Sequence, residues 1–314
     1  MRSRLRGMLM SKTPPAVSEL EKVHGGSRTC VIDSVDLRHG TRCERLGRGG
    51  GVGQVYRAVS PHGLTYAVKV FEIDHLTPLD TELVKREILT MESLSHAHIA
   101  QHLGHDFGDK QRVHLFLEYF MHTLRTLIDS SRADATPAAP NPHVDARVAT
   151  EIGVGIALGL HYLHTLPRPI VHRDLKSENI FLVRNDEQHK WVAKIGDFGE
   201  AKELRRGAQV HTNMVGSDGF RAPETYSRNA TYDARADIWS FGMVLFEMIT
   251  LQPPYFYDAE LRTAFDLARR AESGARPALP PGTAGLVTAT HKALVALFVE
   301  CTEANMAKRP SARS

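Results

Sequence analysis

The sequence predicts an α+β fold of two unequal lobes, and three observations predict it. Alternating, β-branched segments crowd the first third of the 314 residues. From Val144 onward apolar residues recur at helical spacing. No internal repeat is visible, so the strand-rich and helix-rich regions are expected to pack side by side with a cleft between them.

In chain order, residues 1–30 show little periodicity and carry the breakers Pro14-Pro15 and Gly25-Gly26, so they are expected to be a disordered basic tail. The start, Met1-Arg2-Ser3-Arg4-Leu5-Arg6, is basic but lacks the apolar stretch and small-residue cleavage site of a targeting peptide. Strands are expected over 55–59 and 65–71, joined by a Pro61-His62-Gly63 turn. A helix follows. Thr77 is its expected cap, Pro78 its first residue and Asp80 stands three residues past the cap, while Leu83, Val84, Ile88, Met91 and Leu94 share one face. Residues 113–118 read as another strand, and helix begins again near Met121. Between Ser130 and His143 an Ala/Pro-rich stretch predicts a flexible insert, 130–143, between two helices. The expected later helices are 146–164, 235–250, 257–272 and 288–301.

Composition excludes several classes. A hydrophobic share of 42% and a charged share of 24% suit an ordinary globular chain. Net charge is only +3, so no strong basic field points to nucleic acid. No apolar run approaches the ~18 residues of a membrane span. Cys30, Cys43 and Cys301 match neither a zinc spacing nor a disulfide framework, which predicts a reducing, cytoplasmic compartment. Seventeen histidines include His96, His98, His102 and His105, whose spacing fits no familiar zinc pattern.

The chemistry concentrates in His172-Arg173-Asp174-Leu175-Lys176-Ser177-Glu178-Asn179 and in Asp197-Phe198-Gly199, separated by a gap long enough for a β-hairpin. Together they supply a proton acceptor, a cation and two hard-oxygen metal ligands, the set that phosphoryl transfer needs. Upstream, Leu46-Gly47-Arg48-Gly49-Gly50-Gly51-Val52-Gly53-Gln54-Val55 is a glycine-rich turn whose backbone N–H groups can approach phosphate oxygens. Alone it would equally suit a linker. Its weight comes from Lys69, fourteen residues after Val55 and inside a strand.

These motifs resemble those of eukaryotic-type protein kinases, in their serine/threonine branch. The resemblance runs from about residue 32 to the C-terminus and implies the bilobal kinase fold. The kinase domain would occupy 31–314, with an N-lobe over about 31–117, a hinge over 118–121 and a C-lobe over 122–314. Two glycine-loop readings remain open. Either Arg48 stands at the first glycine position, or Gly47, Gly49 and Gly53 keep their roles and the tip carries one extra residue; the second keeps the family look of residues 46–49.

The resemblance implies ATP and Mg²⁺, and it assigns roles. Asp174 would accept or orient the substrate hydroxyl proton, with Lys176 offsetting transition-state charge. Lys69 would pair the phosphates and Glu87, on the capped helix, would orient it. Asn179 and Asp197 would hold the metal. Val55 and Ala67 would roof the adenine pocket, Phe181 would floor it, Glu118 and Phe120 would offer main-chain groups, and Leu117 would stand at its back. Ser217 would tie Asp174 to Lys176, a serine/threonine trait. Asp237 would hold the catalytic-loop backbone, and Arg309 would pair with Glu224.

The segment 200–221 resembles an activation loop. A phosphate on Thr212, placed by an upstream activating kinase, would pair with Arg173 and with Lys202, Arg205 or Arg206. Protein substrates with Ser/Thr acceptors are the implied partners; a pseudokinase scaffold is the alternative from another class. The lead-in 32–37 and the ending 301–310 resemble the tyrosine-kinase-like group. The chain ends at Ser314, where the family's last helix would begin, so a short C-terminus is expected.

Overall fold

The computed structural model describes residues 42–48, 53–60, 62–72, 77–109, 112–134, 143–185, 187, 190–204, 210–211, 216–226, 231–258, 263–280 and 289–314. The expected tail, Gly49, Thr212 and residues 135–142 of the expected insert lie outside these residues.

The first five strands of the described residues form one antiparallel sheet: β1 (Arg42–Arg48), β2 (Gln54–Val59), β3 (Thr65–Glu72), β4 (His102–Asp109) and β5 (Arg112–Glu118), ordered β1-β2-β3-β5-β4. Side chains alternate across a sheet, so register decides which residues share a face. Val55 lies opposite Lys69, Lys69 opposite Leu115, and Ala67 opposite Leu117. The five therefore line one face. Farther along that face Phe71, Val84, Ile88, Val113 and Leu115 form one buried cluster, which seats helix α1 (Pro78–Ser93) on the sheet. The start of α1 is as the sequence predicts: Thr77 N–H donates to Asp80 Oδ2 at 2.9 Å and Asp80 N–H donates back to Thr77 Oγ1 at 3.2 Å.

After β5, residues 119–121 carry no regular structure, and a short β6 (His122–Thr123) leads into α2 (Leu124–Ala133). Helix α2 runs through Ser130 to Ala133, so the first residues assigned to a flexible insert are helical. The Ala/Pro richness begins at Ala133, past the point where the helix is already propagating, and Asp134 closes it. Helix α3 (Ala146–Thr165) starts on Asp145, whose Oδ1 accepts from Arg147 N and Val148 N at 3.0 and 3.2 Å. Strand β7 (Ile170–Val171) precedes the hairpin β8 (Ile180–Asn185) and β9 (Lys190–Ile195), which joins β6 in a three-stranded sheet. Short pairs follow: β10 (Lys202–Glu203) on β7, and β11 (Val210–His211) on β12 (Thr231–Tyr232).

Helix α4 (Arg235–Thr250) is buried from Ala236 to Thr250, and it is mostly apolar on every side, as a central core helix tends to be. Its Phe241, Val244, Leu245 and Phe246 belong to one core with Ile152, Ile156 and Leu160 of α3 and with Phe298 of α6 (Ala289–Cys301). Helix α5 covers Ala264–Glu272 only. The helix expected from 257 begins seven residues later, because Thr263 and Asp266 form a further capping box that fixes the start. Asp258 is instead paired to Arg270 at 3.0 Å.

The loop after α1 joins the two lobes. Ile195 N donates to His98 O at 2.9 Å and Ala100 N to Ile195 O at 2.8 Å, a parallel bridge between residues 98–100 and β9. Helix α3 lies against this bridge because Gly159 has no side chain. A Cβ there would stand 2.8 Å from His98 O and 2.9 Å from Ile195 Cδ1. No helix among the described residues is long and apolar enough to cross a membrane.

Strand β4 is among the elements that the sequence pattern does not reveal. His102 and His105 stack on it with ring centres 5.7 Å apart, and His105 Nδ1 lies 3.1 Å from Glu92 of α1. Burial, reinforced by repulsion from His105, pushes the His102 imidazole down from 6.5 to about 4, against the pull of Glu92 and a bond to the Gly104 backbone. A group held neutral in the fold binds fewer protons than in the unfolded chain. Its stabilising contribution is complete above pH 6.5 and declines as pH falls toward 4, by about 3 kcal/mol. Denaturant titrations from pH 7 to 4 are expected to show His102→Gln losing less stability than wild type across that window; parallel curves would refute the assignment.

Candidate active site

The site is built on Asp237, at the start of α4 and fully buried. Its carboxylate accepts from His172 N at 2.9 Å, Arg173 N at 3.0 Å and His164 Nε2 at 2.8 Å. Burial raises the cost of its charge, but the His164 bond, the nearby His172 and the Arg173 amide hold its pKa below the ordinary carboxylate value. Those bonds keep Arg173 at φ +68°, a left-handed conformation that a non-glycine residue holds only when its surroundings over-determine it.

The loop thus fixed presents Asp174, 9% exposed. Lys176 Nζ donates to Asp174 Oδ2 at 2.7 Å and to Ser217 Oγ at 2.7 Å, while Ser217 donates to Asp174 Oδ1 from both N and Oγ at 2.8 Å. Gly216 allows this closure. At φ +103°, a Cβ there would sit 2.5 Å from Arg173 O. Asn179 Nδ2 donates to Asp174 O at 2.8 Å and Asp174 Oδ2 at 3.2 Å, which turns its amide oxygen into the ligand-type atom. His172 accepts the Asp174 amide on Nδ1 at 3.3 Å, so Nε2 carries the proton toward Gly196 O at 3.0 Å.

Lys69 crosses the cleft. Its Nζ lies 2.7 Å from Glu87 Oε1 and 3.3 Å from Asp197 Oδ1, bringing β3, α1 and the Asp197 loop to one point. Burial opposes the ammonium, yet the two carboxylates raise the Lys69 pKa above the ordinary lysine value, so it stays charged. Asp197 itself sits at φ +58°. Glu87 is buried, not the solvated surface carboxylate that its charge alone would suggest.

Above and below lie the flat walls. Val55, Ala67 and Leu117 share the Lys69 face of the sheet. Phe181 stacks on Phe120 with centres 4.9 Å apart and planes at 17°. Glu118 N donates to Gln101 O at 3.0 Å, so what Glu118 can offer a base is its carbonyl. Gly47 pairs with Val55 beyond an irregularity in β1, and Gly53 stands at φ +124° with Phe71 where its Cβ would be. Gly49 is outside the described residues.

The residues fit a magnesium nucleotide. Among the described residues no group of three or more His, Cys, Asp or Glu side chains could hold a metal alone. An ion between Asn179 and Asp197 would complete its shell with phosphate and water oxygens, as Mg²⁺ does on nucleotides. Sequence reasoning missed His164, Gly159 and Gly216. A histidine at a helix end and glycines inside ordinary patterns carry no signal until their neighbours are known.

The remaining pair braces the floor of this lobe. Arg309 Nη1 and Nη2 lie 2.6 and 2.7 Å from the two Glu224 oxygens, with the guanidinium 5.0 Å from the Trp239 ring centre. Arg309 is 3% exposed and the Glu224 side chain 15%, so removing the arginine strands a largely covered carboxylate. Arg309→Leu is expected to cost about 3–5 kcal/mol in denaturant unfolding, and Arg309→Lys to recover only part, because an ammonium cannot make the two-pronged contact. Equal stability of all three proteins would contradict this.

Comparison with known proteins places these features in a family. The protein kinase domain family matches residues 41–314. The chain is 34% identical over 312 residues to the Kinase and exchange factor for Rac B of Dictyostelium discoideum, covering 97% of this chain and 25% of that protein. It is 29% identical over 300 residues to the LRR receptor-like serine/threonine-protein kinase GSO1 of Arabidopsis thaliana, 90% of this chain and 23% of that one. PTI1-like tyrosine-protein kinase 1 of the same plant is 32% identical over 210 residues, 65% and 55% of the two chains. The chain thus spans about a quarter of the length of the first two. A kinase-type sheet and helical lobe, a Lys69–Asp197 bridge across their cleft and a domain match over nearly the whole chain agree: this chain belongs to the protein kinase family.

Proposed function

We propose that the chain is a serine/threonine protein kinase that transfers the γ-phosphate of ATP to hydroxyls of protein substrates. The observation that carries this reading is the closed set Asp174–Lys176–Ser217, in which one serine binds both the carboxylate and the ammonium at 2.7–2.8 Å. It supports an acceptor hydroxyl on a short side chain, since Lys176 is drawn close beside Asp174.

Bound Mg²⁺-ATP would supply the phosphoryl group, and the metal, held by Asn179 and Asp197, would neutralise charge on its phosphate oxygens. Asp174 orients the acceptor hydroxyl and takes its proton as the oxygen attacks. Lys176 faces the charge that develops in transfer, and Lys69, held by Glu87, pairs the phosphates. Val55, Ala67 and Phe181 enclose the base, with main-chain groups of Glu118 and Phe120 at its edge. Asp237, Ser217, and the Glu224–Arg309 pair keep the loop in place; a displacement of about 1 Å can cost on the order of 10²-fold in rate.

We extend the proposal to regulation through Thr212, supported by cations that crowd one another around Lys202. Burial, then repulsion from Arg173 and from Arg86 on α1, lowers the Lys202 pKa. Crowded cations of this kind favour an arriving phosphate. Arg86 extends the set expected from the sequence, and Arg205 and Arg206 lie outside the described residues. An upstream kinase is the proposed source of that phosphate.

With radiolabelled ATP and a mixed Ser, Thr and Tyr peptide panel, label is expected on Ser and Thr. Asp174→Asn is expected to lower kcat on the order of 10²–10⁴-fold, with Asp197→Asn abolishing metal-dependent nucleotide binding. Label confined to tyrosine, or undiminished in Asp174→Asn, would overturn the proposal. Thr212→Ala is expected to remove any dependence of activity on prior phosphorylation; a phosphatase-sensitive Thr212→Ala enzyme would exclude that site.

A further inference from the structure

We infer that Lys194, on β9, is a positioning residue for the purine base, because it fastens the segment connecting the lobes to the floor of the cleft. The inference rests on the kinase reading above and adds to it a residue outside the catalytic set.

Lys194 Nζ lies 2.8 Å from both carboxylate oxygens of Glu118. The same ammonium stands 5.7 Å from the centre of the Phe120 ring, and Phe120 stacks on Phe181. Lys194 is also the strand partner of Phe181 in the β8–β9 hairpin. One cation therefore reaches both the acidic and the aromatic side chain of the connecting segment from the hairpin face that also carries Phe181. From above, Arg57 of β2 lies 5.5 Å from the Tyr119 ring centre. Three consecutive residues are held by three elements: Glu118 by β9, Tyr119 by β2 and Phe120 by β8.

Two further contacts make the arrangement stiff. Glu118 Oε2 accepts from Gln101 N at 3.2 Å, which ties the carboxylate to the chain entering β4. Phe181 packs directly on Gly196, in the space a side chain would need: a Cβ there would stand 2.5 Å from Phe181 Cε2. The Lys194 and Glu118 side chains are 17% and 28% exposed, so the pair is partly desolvated. It should therefore exceed a surface ion pair in strength without the cost of a fully buried one. Main-chain groups that read a base gain specificity only when supporting contacts hold them in place. Without the ammonium, Glu118 can turn to solvent and Phe120 loses the cation at its ring face.

The test compares wild type, Lys194→Met and Lys194→Arg by steady-state kinetics and by displacement of a fluorescent adenine nucleotide. Lys194→Met is expected to raise Kd and KM for ATP roughly three- to tenfold, with kcat and the peptide KM held, and Lys194→Arg to restore most of the loss. Unchanged ATP affinity in Lys194→Met overturns the inference. So does a rise in kcat at constant KM, which would make the pair a restraint on lobe motion. A fall in kcat, or a rise in peptide KM equal to that for ATP, also overturns it, by revealing general damage to the lobe. Wild type that binds no nucleotide would instead refute the kinase reading itself, so the two failures are distinguishable.

Discussion

The buried Asp237 carboxylate is the contact on which the rest of the site depends. It lies at the first turn of a helix buried on every side, and three donors converge on it. A charge so placed is costly unless its oxygens are satisfied, and here satisfying them bends the loop after β7 into a left-handed turn at Arg173. The loop's geometry is therefore a by-product of neutralising one buried charge. Asp174, Lys176 and Asn179 inherit their positions from it.

A second charge problem is solved at the cleft. Lys69 carries an ammonium into a buried position and needs two carboxylates to keep it. Those carboxylates come from a helix on the small sheet and from the loop after β9, so the cation can be fully paired only when both segments have closed around it. Electrostatics thus makes the assembled cleft a cooperative state.

Much of this was legible in the sequence. The chemistry-bearing runs 172–179 and 197–199 were unmistakable because several residue types had to coincide, and the structure brings Asp174, Lys176, Asn179 and Ser217 into direct contact. The cap of α1 was readable because Thr77, Pro78 and Asp80 form a local signal. What was not readable depended on distant neighbours. Strand β4, rich in His, Gly and Asp, owes its conformation to pairing with β5 and has little propensity of its own. The α5 start was misplaced because apolar spacing continued past the true cap at Thr263. Gly159 and Gly216 matter through carbonyls far along the chain, and no local pattern reports such approaches.

The parallel bridge between residues 98–100 and β9 bears on how the smaller lobe can move. Although α1 packs on the five-stranded sheet, the stretch just beyond its C-terminal end is stitched to the helical lobe and wedged against Gly159. That end is a fulcrum. Any swing of the helix is greatest at the opposite tip, around Thr77, and Glu87, near mid-helix, travels a fraction of the arc. A small rotation there is enough to make or break its 2.7 Å contact with Lys69, so the carboxylate works as the short arm of a lever whose long arm faces outward.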